Sequence, residues 1–194
     1  MSELASTGIE ATRRRLTEKQ ADTVDRLTAA AVEVLSREGF SGTTIRLVAA
    51  AAGVGTATAY TYFSSKEHLI TEVFWRRLTA TPPPEPGDAD ATGRVVAVLR
   101  QVSMLVADEP ALAHAVSSAL LGDDPDVQHL RLRIGREIRR RLAAAMNAKD
   151  PEGLAMFELL YAGALLQGGM GLLSYEQVAD LLEACVRRLL AADA

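Results

Sequence analysis

Apolar residues recur at three- and four-residue intervals along most of this chain, the spacing that places them on one face of an α-helix. In the amino-terminal part, this spacing and its flanking threonine, serine and glycine residues predict four helices, at residues 18–38, 45–52, 56–63 and 66–79. Residues 1–17 are polar, lack helical spacing and include Arg13, Arg14 and Arg15. We therefore expect a flexible basic arm before the first helix.

A proline-rich stretch at residues 82–88 interrupts the helical spacing, because proline lacks an amide donor and clashes with the preceding turn. Beyond it the periodicity predicts five more helices, at residues 92–107, 110–121, 125–147, 152–172 and 175–192. No strand pattern or internal repeat is evident in the sequence. We predict an all-α protein of about nine helices, with one domain at residues 18–80 and a second at residues 81–194.

The composition supports helices and excludes several classes of protein. Hydrophobic residues make up 48% of the 194 residues and aromatic residues only 5%, which favours a helical core over sheets or disorder. The sequence contains no segment typical of a membrane span or a secretory signal, so we expect a cytoplasmic protein with no membrane partner. Cys185 is the only cysteine, which excludes an internal disulfide and a zinc site of paired thiolates. We expect neither a cofactor nor a metal.

Charge is unevenly distributed between the two predicted domains. Residues 1–80 carry 10 Lys and Arg against 9 Asp and Glu, whereas residues 81–194 carry 11 against 16, within a net charge of −4. A nearly neutral first part and an acidic remainder indicate that only the first part faces a polyanion such as nucleic acid.

The segment 44–63 carries the clearest functional signal. Two short helical patterns are joined at Gly53, which suits the left-handed turn between two helices. On the second helix, one side should pack inward and the other should be presented outward. The inward set is Ala59, Tyr62 and Phe63, and the outward set includes Ala57, Tyr60 and Thr61. Because the DNA major groove is about 12 Å wide and admits one α-helix, this pattern predicts a DNA-binding helix-turn-helix.

Five motifs follow one another in this region: Ala30-Ala31-x-Glu33-Val34-Leu35, Gly39-Phe40-x-x-Thr43-Thr44, Val48-Ala49-x-x-Ala52-Gly53-Val54, Thr58-x-Tyr60-x-Tyr62-Phe63 and Ser65-Lys66-x-x-Leu69. Their order and spacing over residues 21–79 resemble the DNA-binding domain of the tetracycline repressor (TetR) family. The resemblance implies a homodimeric transcription factor, usually a repressor, that binds a palindromic double-stranded DNA operator. It also implies a carboxy-terminal domain that binds a small-molecule effector, whose identity the sequence does not indicate.

The resemblance assigns roles to individual residues. Thr44 and Arg46 would contact phosphates, while Tyr62 and Lys66 would hold the DNA backbone. The residues facing the groove would be Thr56, Ala57, Thr58, Tyr60 and Thr61. Hydroxyl groups suit phosphates or base edges, and methyl groups suit thymine. Since this set contains no Arg, Asn or Gln, specificity would depend partly on methyl contacts, water and DNA shape.

The last two predicted helices carry apolar faces wide enough to need helical partners on more than one side. Several glycines in this region allow helix backbones to approach closely. A two-fold dimer that packs both helices against their copies would use both features. The predicted dimer interface comprises Leu160, Ala164, Gly168, Val178, Leu182, Cys185 and Leu189.

Candidate effector-binding residues are less well defined. Gln101, Met104, His114 and Tyr161 could line a pocket among the middle helices, although a lone histidine on a helix is more often an ordinary core or surface residue. Residues 131–141 contain six arginines on a helix whose apolar residues turn inward. This run is either a solvated face, with most arginines pointing outward, or a site for an anionic ligand.

Other interpretations stay open at this point. The protein could be a helical small-molecule carrier or scaffold dimer without DNA binding, since strong base-reading side chains are absent from the third helix. The helix-turn-helix pattern could also be an ordinary helical hairpin. An enzyme is disfavoured, because no catalytic or metal-ligating arrangement emerges. The arginines of the arm could enter a minor groove or form a solvated tail.

Overall fold

The computed structural model describes residues 18–85, 87–147 and 150–192. Within these residues the chain forms nine helices, as predicted for an all-α protein. They are α1 (Glu18–Gly42), α2 (Ile45–Ala51), α3 (Thr56–Tyr62), α4 (Lys66–Ala80), α5 (Ala91–Met104), α6 (Pro110–Leu120), α7 (Pro125–Ala145), α8 (Pro151–Gly169) and α9 (Tyr175–Ala192). The predicted basic arm, residues 1–17, lies outside the described residues.

Some helices end at residues other than the predicted ones. At these places the backbone conformation, rather than the periodicity of the side chains, sets the end of the helix. Regular helical geometry in α1 breaks at Gly39, whose φ is 66° and ψ is 177°, although further turns extend the element to Gly42. The predicted helix at residues 92–107 ends at Met104. Beyond it, the amides of Leu105 and Ala107 bond to carbonyls three residues back, as in a 3₁₀ turn.

Helix α4 lies between the helix-turn-helix and the rest of the molecule. Most of its side chains are buried, including a continuous run from His68 to Trp75 and, further on, Leu78. It packs against α1, α6 and α7, and α1 also packs directly against α6. Because one buried cluster continues through it into both halves, the division at residue 80 stays a prediction.

The remaining helices complete the core behind α4. Helix α5 packs against α7 and α9, and α8 packs against α6, α7 and α9. In the part of the chain that the structure describes, no helix is both long and apolar enough to cross a membrane.

Helices α6 and α8 approach closely at Gly169. A Cβ atom at this position would lie 1.9 Å from Ser117 Oγ and 2.3 Å from Ser117 Cβ. Rotation of the serine side chain cannot relieve the second contact, because its Cβ is fixed by the backbone. Close backbone approach through this glycine therefore occurs within one protomer.

We expect Gly169→Ala to lower the free energy of unfolding by about 1–3 kcal/mol, because α6 and α8 must separate to admit the methyl group. Gly135→Ala is the matched control, since a Cβ at this exposed position of α7 meets nothing within 4 Å. The control should be neutral or more stable by up to about 1 kcal/mol. Urea unfolding followed by circular dichroism measures both, and equal stabilities would contradict the close packing.

Candidate functional site

The turn between α2 and α3 is held by its own backbone and by α1. Gly53 adopts φ +63°, a conformation that suits glycine. The Val54 amide donates to Ala49 O at 2.9 Å. From α1, the Arg26 guanidinium donates to the carbonyls of Ala52 and Gly53. This arginine clamp fixes the exit of α2, and because it acts across 26 residues, helical spacing in the sequence did not reveal it.

Helix α3 has one packed side and one exposed side. Ala59 and Phe63 are fully buried, and Tyr62 is half-buried against the core. Tyr60 is 52% exposed on the opposite side. The exposed set matches the predicted groove-facing residues: Thr56, Ala57, Thr58, Tyr60 and Thr61. A large aromatic side chain held outward on a packed helix is available for contact with a partner.

The residues predicted to contact phosphate lie around this helix. Thr44 caps α2, because its Oγ1 accepts the Leu47 amide at 3.2 Å, and Arg46 is exposed on the first turn. Lys66 is half-buried: its Nζ donates to Phe40 O at 2.8 Å and lies 4.3 Å from the centroid of the Phe40 ring. The Lys66 ammonium therefore also fastens the start of α4 to the end of α1.

A polar cluster joins the α3–α4 turn to the start of α7. Ser64 Oγ donates to Asp124 Oδ2 at 2.8 Å, and Asp124 Oδ1 accepts the Asp126 amide at the same distance. The buried His68 places Nδ1 3.2 Å from Ser64 Oγ and 3.6 Å from Asp126 Oδ2. Burial opposes ionisation of Asp124, but hydrogen bonds from Ser65, Ser64 and the Asp126 amide outweigh it and lower the Asp124 pKa.

Helix α7 also holds the opposite end of α4. Arg141, only 3% exposed, donates to Leu78 O at 2.6 Å and to Thr81 O at 2.9 Å. It also donates to the side chains of Glu137 and Gln101. Most of the arginine run is exposed as predicted, but Arg141 faces inward, where it satisfies carbonyls beyond the reach of the α4 helix ladder.

The four predicted effector residues do not converge on one cavity. His114 is exposed, with Nδ1 2.9 Å from Gly169 O, and it lines a cavity of about 360 Å³ that the other three do not line. Gln101 donates to Pro82 O, and Met104 is half-buried. Burial raises the pKa of Tyr161, whose hydroxyl has no hydrogen-bond partner within the described part of the chain.

Sequence reasoning missed a second cavity, of about 260 Å³, between residues 83–85, α5 and α7. Arg94, Arg140 and Arg141 line it. The arginine run in the sequence did point to an anion-binding site, as one of two alternatives. Another part of the cavity wall, however, is formed by the proline-rich stretch, which helical periodicity identified only as a domain boundary. No cluster of three or more His, Cys, Asp or Glu among the described residues could hold a metal ion.

The predicted dimer interface needs a correction at Gly168, Val178 and Leu182, which are buried in the protomer's own core. The inner side of the apolar stripe on α9 packs against α5. A Cβ at Gly168 would already meet Tyr175 at 3.3 Å. These three residues therefore cannot face a partner. The other predicted interface residues are half-buried: Leu160, Ala164, Cys185 and Leu189.

A row of exposed apolar residues lies instead on the outer side of α8 and its C-cap, and Leu181 of α9 is also exposed. We call the α8 part the outer seam; its residues are separated alternately by three and four positions, the spacing of a coiled-coil contact. They are Met156, Leu159, Gly163, Leu166 and Met170. Leu159 is the most accessible of them, at 77% exposure.

In this helical unit a short, outward-facing α3 packs against α2, and α1 holds the turn between them. That arrangement defines the class of helix-turn-helix DNA-binding proteins. Residues 27–73 match the family model described as bacterial regulatory proteins, tetR family. An uncharacterized HTH-type transcriptional regulator of Mycobacterium tuberculosis is 41% identical over 176 residues, covering 89% of this chain and 83% of the relative. The chain therefore belongs to the tetR family and is a DNA-binding transcriptional regulator.

More distant proteins are similar in sequence or in fold. The HTH-type transcriptional repressor KstR of Rhodococcus jostii is 27% identical over 129 residues, covering 65% of this chain and 60% of KstR. A TetR transcriptional regulator from Rhodococcus sp. RHA1 superposes with a TM-score of 0.72 at 22% identity, covering 90% of this chain and 98% of that one. FadR from Bacillus subtilis, solved in complex with stearoyl-CoA, superposes with a TM-score of 0.64 at 16% identity, covering 84% of this chain and 96% of the FadR chain.

We expect Asp124→Ala to lower the free energy of unfolding by about 1 kcal/mol near neutral pH, because α7 loses its N-cap and Ser64 loses its acceptor. Because the pKa of Asp124 is lowered in the folded protein, the ionised carboxylate stabilises the fold fully at pH values above 3.8, the ordinary pKa of the group. This stabilisation is lost as the pH falls through the lower pKa of the folded state. The difference from wild type should therefore shrink below about pH 4.

Thermal unfolding between pH 7 and pH 3 measures this difference. Asp123→Ala is the control, since Asp123 is exposed and its observed hydrogen bond uses the backbone carbonyl. A deficit in Asp124→Ala that stays constant down to pH 3 would contradict a role for the ionised carboxylate.

Proposed function

We propose that the protein is a homodimeric repressor that binds a palindromic DNA operator and is released when a small-molecule effector binds its carboxy-terminal helices. The observation that carries this proposal is the exposed side of α3, held outward over the fully buried Ala59. Thr56, Thr58 and Tyr60 on that side supply hydroxyl groups, and Ala57 supplies a methyl group, for the edges of bases. The protein would bind this operator in the cytoplasm.

Phosphate contacts would come from residues around α3 rather than from net charge. Arg46 projects from the first turn of α2 and is exposed, so its guanidinium can reach a phosphate without breaking an observed contact. Thr44, Tyr62 and Lys66 would supply the remaining contacts to the DNA backbone. Lys66 would bring its charge to the DNA while still fastened to Phe40.

The outer seam supports a two-fold dimer. An apolar row with alternating three- and four-residue spacing can pack against its own copy, and Gly163 in the middle allows the two helices to approach. Such a dimer would set two α3 helices about 34–36 Å apart, or at another face-matched spacing, to enter successive major grooves.

The repressor role is supported by KstR, which is named as a repressor. The FadR structure in complex with stearoyl-CoA supports binding of a small molecule by a protein of this fold. To shift the ratio of the operator-binding state to the released state from 99:1 to 1:99, an effector would have to bind the released state more tightly by about 5.5 kcal/mol.

We expect Tyr60→Ala to weaken operator binding by about fivefold or more, because loss of the correct contact at one base pair of a specific site costs about 1–3 kcal/mol. Arg46→Ala should weaken binding to all sequences and reduce the slope of log K against log salt by about 1. Fluorescence anisotropy with a duplex selected from random sequences measures both effects.

Arg136→Ala is the control for the DNA measurement, since Arg136 is equally exposed on α7 and its observed hydrogen bond stays within its own helix. Wild-type affinity and salt slope in both Tyr60→Ala and Arg46→Ala would favour the carrier or scaffold alternative over DNA binding.

We expect Leu159→Asp to convert the dimer to a monomer, because a charge would be buried in the centre of the outer seam. Leu132→Asp on α7 makes the same change at a leucine that is 66% exposed outside the seam, and it should stay dimeric. Light scattering after size-exclusion chromatography gives the mass of each, and a dimeric Leu159→Asp would refute the seam as the interface.

A further inference from the structure

We infer that the cavity between residues 83–85, α5 and α7 is an effector site for a small organic monocarboxylate with a short apolar body. This inference rests on the proposed function, because it names the ligand class that would regulate operator binding. It concerns residues outside the four that the sequence suggested.

Three guanidinium groups converge on this cavity with few carboxylates to balance them. Arg94 donates to the carbonyls of Ala145, at 3.0 Å, and Ala89 rather than to a carboxylate. Arg140 donates to both oxygens of Glu137, at 2.8 and 2.7 Å, and Arg141 donates to one of the same two oxygens at 2.8 Å, so two guanidinium groups have a single carboxylate between them. The one carboxylate among the cavity-lining residues is the exposed Glu85. A planar anion such as a carboxylate matches the fork of donors that guanidinium groups present.

The rest of the lining is apolar and made of small side chains. Pro83, Pro84, Ala97, Val98 and Ala144 contribute carbon surface. The volume, about 260 Å³, is just below that of typical ligand pockets, which range over about 300–1,000 Å³. The cavity therefore suits a charged head with a short hydrocarbon body and excludes a bulky ligand.

The same arginines connect the cavity to the DNA-binding helices. Arg141 lines the cavity and also holds Leu78 and Thr81 at the end of α4. An anion that draws its guanidinium toward the cavity competes with these carbonyls and with Glu137. Since α4 begins at the α3–α4 turn and α7 contacts that turn through Asp124, the displacement reaches α3 through both helices.

Octanoate is the probe, with octanamide as its neutral counterpart of equal chain length. Isothermal titration calorimetry on the full chain should show saturable binding of octanoate and at least about tenfold weaker binding of octanamide. Arg94→Gln should weaken octanoate binding by about tenfold or more, because it removes a charge-assisted hydrogen bond. Ala97→Phe should abolish binding by filling the cavity without changing charge, and Arg136→Ala should bind as wild type.

Thermal unfolding establishes that each variant is folded, and the two cavity variants provide independent tests. Failure of octanoate to bind wild type, equal binding of octanamide, or wild-type binding by both Arg94→Gln and Ala97→Phe would each overturn the inference.

Operator affinity with and without octanoate separates this inference from the proposed function. Saturating octanoate should weaken operator binding of wild type but not of Ala97→Phe. Octanoate binding that leaves operator affinity unchanged would overturn the effector assignment. If the ligand-free protein binds no operator, the proposed function fails whatever octanoate does; if it binds the operator but not octanoate, only the inference fails.

Discussion

The packing of α4 is the constraint on which the rest of the structure depends. This helix packs against α1, α6 and α7, so most of its side chains are buried. It therefore cannot move relative to the DNA-binding helices without disturbing the core of the second half. Protein interiors are close-packed, and a displacement at one end of such a helix is transmitted rather than absorbed.

Helix α7 complements this arrangement by holding α4 near both ends. At the start of α4, Asp124 joins α7 to Ser64 in the turn that follows α3. At the other end, Arg141 holds the carbonyls of Leu78 in α4 and of Thr81 just after it. The two contacts differ in character, since Asp124 is partly accessible and Arg141 is buried. Both are charge-assisted or multiple hydrogen bonds, which depend strongly on geometry. A rotation of α7 would therefore be transmitted to both ends of α4 and to the turn beside α3.

Residues close together in sequence were predictable. The capping of α2 by Thr44, the left-handed Gly53 and the division of α3 into packed and exposed sides all follow from helical geometry and local backbone preference. Contacts between distant segments were not: the Arg26 clamp, the inward-facing Arg141 and the cavity under the proline-rich stretch each join residues far apart in the chain. Periodicity states which face is apolar but not which neighbour covers it.

The sequence by itself determined the all-helical class, the helix-turn-helix and the identity of its outward side chains, because these depend on interactions within a turn or two of helix. Only the tertiary structure decided how the wide apolar faces of α8 and α9 are divided. Val178 and Leu182 are buried in the protomer's own core, where α9 packs against α5 and α8, whereas Leu159 is left exposed. The sequence cannot make that division, since a hydrophobic side chain gains equally from burial against any apolar neighbour.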